Sequence, residues 1–534
     1  MGDVDSSNFS PELVAEFGGQ VASCSFVAID LEMSGISFPE KTEAGAADSI
    51  PLRYHNVRPV AGTFGVIQVG IALFYESAEE ARVWNFYVFP RPVTEGSVSS
   101  IPLVTLCSAS TNFNRQHGMD FNRWISKGVT FVNGEVERKL EEILLLPDEG
   151  DVVEAGWKKF FAGFSNVAEA SDEYRVQESR ILEEIGAFVA DPSRATMKVP
   201  FVHGGQRFLK AILAKARVAH PQLRLIEEVS GGGSSRCLTK KSSREIFDDY
   251  VGFRHIWKLL TAAGKPVVLH NGMLDLVFCY NAFEADLPDT LPEFKKSLQQ
   301  LFPGGIFDTR LIAIESGIAS AGAALETLAE MLKEEFKSKI VNSGKYSSDA
   351  MEDVGQVHEA GYDALVTGNV FRALKSRLED IDVWKNFVCV TRCLWALSLD
   401  NLDSDRLLMD CGFGKTRIVR ILSDMSVKCG TRDVLNAFED LKPLVPGLVV
   451  NIQWINDTSG VLLITYTHPA DKANDSVTIQ VSSKLLEIVR DSCANAGPLG
   501  EKVKLATSLE YIKKQMDDLN DERAAALMSK RFKM

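Results

Sequence analysis

Apolar positions along this 534-residue chain fall into short bounded runs in some segments and into helical stripes in others. The run Phe26–Ile29, rich in Ile, Val and Phe, predicts a buried strand that ends at Asp30 and Glu32. Segments 64–75 and 82–90 share its β-branched and aromatic character and predict, with it, an antiparallel meander. A further apolar strand, Pro266–Leu269, leads into a helical stretch at 274–283, and a second helix is expected at 363–374 behind a turn holding His358 and Gly361. Between these lie two helical stretches, ESRILEEIGAFVAD and QRFLKAILAKARVAH; the second sets Phe208, Ile212 and Leu213 on one face, with Lys210, Lys215 and Arg217 elsewhere. Gly231–Ser235 reads as a flexible linker, and the polar stretch Lys333–Asp353 as a loop leading to His358, offered as a gate on that histidine. Beyond about residue 408, TRIVRILS, LVVNIQWIND and GVLLITY read as strands, with RDVLNAFEDL as a helix after the first and KLLEIVRDSC as a helix at the end.

Composition narrows the class. With 45% hydrophobic and 24% charged residues the chain is globular, and its length has room for two to four domains. No apolar run reaches the length of a membrane span, and Met1–Pro11 lacks the basic and apolar regions of a signal peptide. Nine cysteines without metal-site pairing predict reduced thiols in an intracellular setting, cytoplasm and/or nucleus, with Cys389 and Cys393 packed on one helical face. The net charge of −14 argues against non-specific nucleic-acid binding, which depends on phosphate neutralisation by Lys and Arg. An RNA path would have to be a local basic groove, for which Lys240, Lys241, Arg244, Lys295 and Lys296 are the candidates.

The acidic residues carry the chemistry. Side chains alternate along a strand, so Asp30 and Glu32 face the same way. A carboxylate pair at a strand end can hold a hard divalent cation such as Mg²⁺, which takes oxygen ligands and keeps several waters. Asp275 and Asp363 each lie at or just beyond the end of a core element, so the four carboxylates can converge. Two ions roughly 3.5–4 Å apart would stabilise the attacking and leaving oxygens of an in-line phosphoryl displacement. His358, with an unperturbed pKa of about 6.5, suits the removal of a proton from the attacking water.

The segments AIDLEMSGIS (28–37), LHNGMLDLVF (269–278), FDTRLIA (307–313) and HEAGYDALVTG (358–368) closely resemble the DEDDh nucleases of the poly(A)-specific ribonuclease (PARN) family. The similarity continues through WNFYVFPRP (84–92) and HGMDFNRWISKGVTFVN (117–133), and so covers most of residues 8–375. It implies an α/β, RNase H-like (DEDD) nuclease domain with a mixed sheet, built from residues 1–170 and 245–400. Residues 174–228 would be an inserted small domain of the Arg-x-x-x-His type, although Ala211 stands four positions after Arg207 where that signature has histidine. The βαββα order at 408–495 suggests an RRM-like domain, followed by a helical tail at 500–534.

By this resemblance Asp30, Glu32, Asp275 and Asp363 are the metal-binding carboxylates for two Mg²⁺ ions, with Mn²⁺ as a substitute, and His358 is the general base. Asp308 is read as a capping residue. IQWINDTSGVLL (452–463) is similar to the family segment whose tryptophan stacks on the mRNA 5′ cap, which makes Trp454 a candidate cap platform and Asp457 a candidate orienting group. The family also implies a homodimer. Three functions are then in play: a deadenylase that removes poly(A) from RNA 3′ ends and releases 5′-AMP, a 3′-end trimmer of small or non-coding RNAs, and an inactive RNA-binding scaffold. Inactive relatives usually lose a carboxylate or the histidine, and all five are present here.

Overall fold

In the computed structural model the described residues are 2–38, 48–162, 172–200, 205–230, 233–319, 324–336, 339–340, 358–391, 393, 395–402, 405–407, 415–422, 449–456 and 459–467. The chain has a mixed α/β fold organised on a central mixed sheet. Four strands open it: β1 (Asp3–Val4), β2 (Phe26–Met33), β3 (Val66–Tyr75) and β4 (Glu80–Tyr87). The expected meander is present, with β2, β3 and β4 paired antiparallel. β1 adds to β4 in parallel. On the other side β2 pairs in parallel with Val267–Leu269, that strand with Ile306–Asp308, and that one with Phe387–Val388. Trp395–Ser398 and Arg406–Leu407 extend this side with antiparallel pairings, and Lys339–Ile340 adds to β4 in parallel.

β3 is buried along nearly its whole length, as a central strand covered on both faces must be. The two faces meet different cores. Val27, Ile29, Leu31 and Met33 pack with Val69, Ile71 and Leu73 in one cluster, against Phe17 and Val21 of helix α1 (Pro11–Ser23) and Val277. Phe26, Ala28, Ala72 and Phe74 pack in the other, against Tyr362, Leu365 and Phe371 of the helix Ala360–Arg377. By strand alternation Asp30 and Glu32 belong to this second face, the one the Ala360–Arg377 helix covers.

Ala360–Arg377 is buried almost all round, so its apolar residues do not form a single stripe. Two glycines let it approach. A Cβ on Gly70, which pairs with Asp30, would lie 1.8 Å from the Ala360 carbonyl oxygen; one on Gly368 would lie 1.9 Å from the Phe74 ring.

Residues 149–239 hold a separate core. Trp157 and Phe160 of the helix Glu149–Phe161 join Ile181, Ile185, Ile212, Leu213 and Leu238. Here the sequence reading needs correction. The helices Asp172–Ala190 and Gln206–Ala219 are accompanied by a three-stranded sheet of Thr196–Lys198, Arg224–Ser230 and Gly233–Thr239. Gly233, Ser234 and Ser235 therefore belong to a hairpin strand and not to a linker, with Ser230 paired to Gly233. The cysteine expectation also fails: Cys389 follows the strand Phe387–Val388 and donates its backbone N–H to Asp308, while Cys393 donates its thiol to the Asp48 carbonyl.

Lys415–Leu422, Val449–Asn456 and Ser459–Thr467 form an antiparallel sheet in the order first, third, second. The helices expected at 432–441 and 484–493, the tail 500–534 and most of the loop expected at 333–353 lie outside the described residues.

Candidate active site

Asp30 and Glu32 stand on β2 opposite Gly70 and Gln68 of β3, half-buried on the face toward the Ala360–Arg377 helix. Asp275 lies in the first turn of Met273–Cys279, where a helix N-terminus favours negative charge. The backbone N–H groups of Asp275 itself and of Leu31, the residue between Asp30 and Glu32, favour its charged form. Asp363 occupies the first turn of Ala360–Arg377, where the backbone N–H of His358 favours its charged form. His358 is the left-handed residue of the entering turn, at φ 68°, whereas Gly361 is not. Ligand atoms of Glu32, His358 and Asp363 lie within 4.8 Å of one another, a grouping able to hold a cation.

Crowded burial leaves these acids short of compensating charge. Desolvation, then the charges of Asp363, Asp275 and Glu32, hold the Asp30 carboxyl well above the usual range. Glu32 is raised by burial and by Asp363, Asp275 and Glu359. Burial pushes Asp275 up to about 7. Asp363, 8% exposed, is pushed up to about 8 by burial and then by Glu326. His358 moves the other way, lowered by burial and then by His117, which keeps its imidazole neutral near pH 7.

Several supporting residues escaped sequence reasoning. Asn85 of β4 is fully buried and faces the turn that carries His358. Its side-chain amide donates to Glu359 at 3.1 Å and to Asp3 at 2.9 Å, and its carbonyl oxygen accepts the Gly361 N–H at 3.3 Å. Glu326, from the helix Leu325–Leu332, sits 3.9 Å from the His358 imidazole. Neither residue carries a spacing signal. Gly70 does have one in retrospect, as a lone glycine inside an otherwise apolar strand marks close backbone approach.

Asp308 caps more than expected. Fully buried, it accepts the backbone N–H groups of Asn271, Gly272, Arg310, Leu311 and Cys389 at 2.9–3.2 Å, tying together the loop before Asp275, its own helix and a neighbouring strand.

The basic groove is not borne out in the form expected. Lys295 is 1% exposed and paired with Asp405. Lys240 donates to the Phe188 and Asp191 carbonyls, Lys241 pairs with Asp249 and Arg244 with Asp248. Of the five, Arg244 and Lys296 are exposed. Trp454 lies in the strand Val449–Asn456 opposite Gly460, next to a register irregularity, and Asp457 lies outside the described residues. Among the described residues no helix is long and apolar enough to cross a membrane.

Known ribonucleases resemble this chain over about 70% of its length. Poly(A)-specific ribonuclease PARN of Xenopus laevis is 28% identical over 404 residues, covering 70% of this chain and 63% of that protein. The human protein of the same name is 27% identical over 402 residues, covering 70% and 61%. The pre-piRNA 3′-exonuclease trimmer of Bombyx mori is 25% identical over 393 residues, covering 69% and 70%. The chain thus spans less than two thirds of the PARN relatives' length. Among solved structures, one titled as the Mg²⁺- and Mn²⁺-bound form of S. pombe Pop2p is 14% identical, covers 72% of this chain and 98% of its own, and superposes with a TM-score of 0.36. The profile of the CAF1 family ribonuclease matches residues 4–371, a span that contains all four carboxylates and His358, and this chain belongs to the CAF1 family of ribonucleases.

Proposed function

We propose that this protein is a Mg²⁺-dependent 3′→5′ exoribonuclease that shortens poly(A) ends and releases 5′-AMP. The observation that carries the reading is the grouping of Glu32, His358 and Asp363, whose ligand atoms lie within 4.8 Å of one another inside the family-matched span. Asp30 and Asp275 stand near enough that repulsion among these acids raises the pKa values of Asp30 and Glu32. The donor set fits the group: Asp30, Glu32, Asp275 and Asp363 supply hard oxygens, and their raised pKa values express a charge that cations would satisfy. When bound, two divalent ions would neutralise the carboxylates and offset charge on the scissile phosphate.

The chain's own residues do the rest. His358 is held neutral and takes the proton from the attacking water. Asn85 fixes the turn that carries His358 by accepting the Gly361 N–H. A 3′-end trimming reading is favoured by one observation, the similarity to the Bombyx mori trimmer over 70% of that protein.

The segment around 149–239 serves in this reading as an inserted domain and the sheet after 408 as an RRM-like module, supported by its strand order of first, third, second. Trp454, with Asp457, is the proposed platform for a 5′ cap, and the active form is a homodimer in the cytoplasm or nucleus. Purified protein with Mg²⁺ is tested on 5′- and 3′-labelled RNAs ending in A, U or C tracts, beside Asp275→Ala. AMP release from A-tailed RNA alone, lost in the variant, is the expected result. Equal attack on all tails supports trimming, and an inert wild type removes the enzymatic reading.

A further inference from the structure

Three rings meet beside the carboxylates. His117 contacts His358 at a centroid distance of 4.3 Å and 75°, nearly edge to face. Phe113 contacts His358 at 4.7 Å and 65°, and lies 4.2 Å from His117. Among the described residues no side chain forms a hydrogen bond with the His358 ring; its nearest acid, Glu326, stands at 3.9 Å. Packing therefore sets which way the ring points, because the left-handed turn beneath it fixes the backbone but leaves χ1 and χ2 open.

His117 is itself well fixed. It caps the helix Ser108–Gln116, its backbone N–H reaching the Phe113 and Asn114 carbonyls at 3.2 Å. Its Nδ1 lies 2.9 Å from the Phe113 carbonyl oxygen, which can only accept, so this nitrogen carries the proton. Asn114 of the same helix is buried and donates to the Met33 carbonyl at 3.4 Å, one residue beyond Glu32. The helix is thus referenced to the strand that presents the carboxylates.

We infer that His117 is a positioning residue: with Phe113 it holds the His358 imidazole toward Glu32 and Asp363 by edge-to-face packing. The inference rests on the reading of His358 as the general base. An aromatic ring at position 117 is what the role requires, and a second ionisable group is not.

The test compares His117→Ala, His117→Gln, His117→Phe and His358→Ala in the full chain, on 5′-labelled A-tailed RNA with Mg²⁺. His117→Ala and His117→Gln should lower kcat about tenfold with KM unchanged, the scale expected when a reacting group is displaced and not removed. His117→Phe should recover most of the rate. In the metal-free protein the His358 ring resonances, identified by their absence from His358→Ala, should move in the Ala and Gln variants and stay near their wild-type positions in Phe. A kcat for His117→Ala within about twofold of wild type overturns the inference. So does a rise in KM at constant kcat, which would make His117 a contact to RNA, or a Phe variant as slow as Ala, which would make the imidazole nitrogens essential. If His358→Ala still turns over normally, the base assignment fails and the positioning role with it; a dead His358→Ala beside a normal His117→Ala removes the positioning role alone.

Discussion

Asp30 is held by burial, and then by its acidic neighbours, in a state it would not choose in water. An acid whose pKa is higher in the folded than in the unfolded chain binds more protons when folded between those two values, so stability falls as pH rises through that window. For Asp275 and Asp363 the window runs from the ordinary carboxylate range to about 7 and about 8. Metal-free protein should therefore lose thermal stability between pH 5 and 8, and Mg²⁺ should restore it, as followed by thermal unfolding with and without chelator. Asp30→Asn removes one of the repelling charges. It should raise the Tm of the metal-free protein near pH 8 while abolishing Mg²⁺-dependent turnover; a variant that loses both would mean that Asp30 serves folding and not metal. At this scale much was legible. Alternation along a strand put Asp30 and Glu32 on one side, and the motif segments named Asp275, His358 and Asp363. What stayed hidden was the support, because Asn85 and Glu326 reach the site through folds in the chain that no local pattern encodes.

Gly70 shows what an element demands of one position. Its missing side chain is where the first turn of Ala360–Arg377 rests, directly across from Asp30. Gly70→Ala should destabilise the protein by about 1–3 kcal/mol, the usual cost of overpacking, and should raise the Mg²⁺ concentration for half-maximal activity, since Asp363 moves with its helix. Denaturant titration and a Mg²⁺ activity series read the two effects; an unchanged Mg²⁺ requirement would confine Gly70 to stability. Asp308 makes a parallel case among loops. Removing it in Asp308→Ala strands five backbone N–H groups around a buried hole, and a loss of about 3 kcal/mol or more is expected in the same titration. The sequence pattern located strands and helices well where apolar runs were long. It missed the hairpin at 224–239, whose polar Glu227, Glu228, Ser234 and Ser235 give no apolar alternation and whose glycines read as a spacer.

For the whole molecule, acidity and nucleic-acid chemistry must coexist. The net charge is −14, and the bonds of Lys240 to the Phe188 carbonyl and of Lys295 to Asp405 show that two of the basic residues scored by composition are committed to partners far along the chain. Long-range pairing of this kind is invisible to a linear scan. The cap proposal separates one end of the chain from the other: Trp454→Ala should weaken binding of a methylated cap analogue, measured by fluorescence titration, while decay of uncapped A-tailed RNA proceeds at the wild-type rate. An unaltered cap affinity would leave Trp454 as a strand residue.

The helix Ala360–Arg377 supplies Asp363 and closes the face on which Asp30 and Glu32 stand. The acids of one centre are thus drawn from the beginning, the middle and the far end of a span of more than three hundred residues. During synthesis, a ribosome that has produced everything up to Asp275 has made a polypeptide with an open sheet face and an incomplete acid set. On the proposed assignment, competence to cut would arrive only when Arg377 has cleared the exit tunnel and its helix has docked.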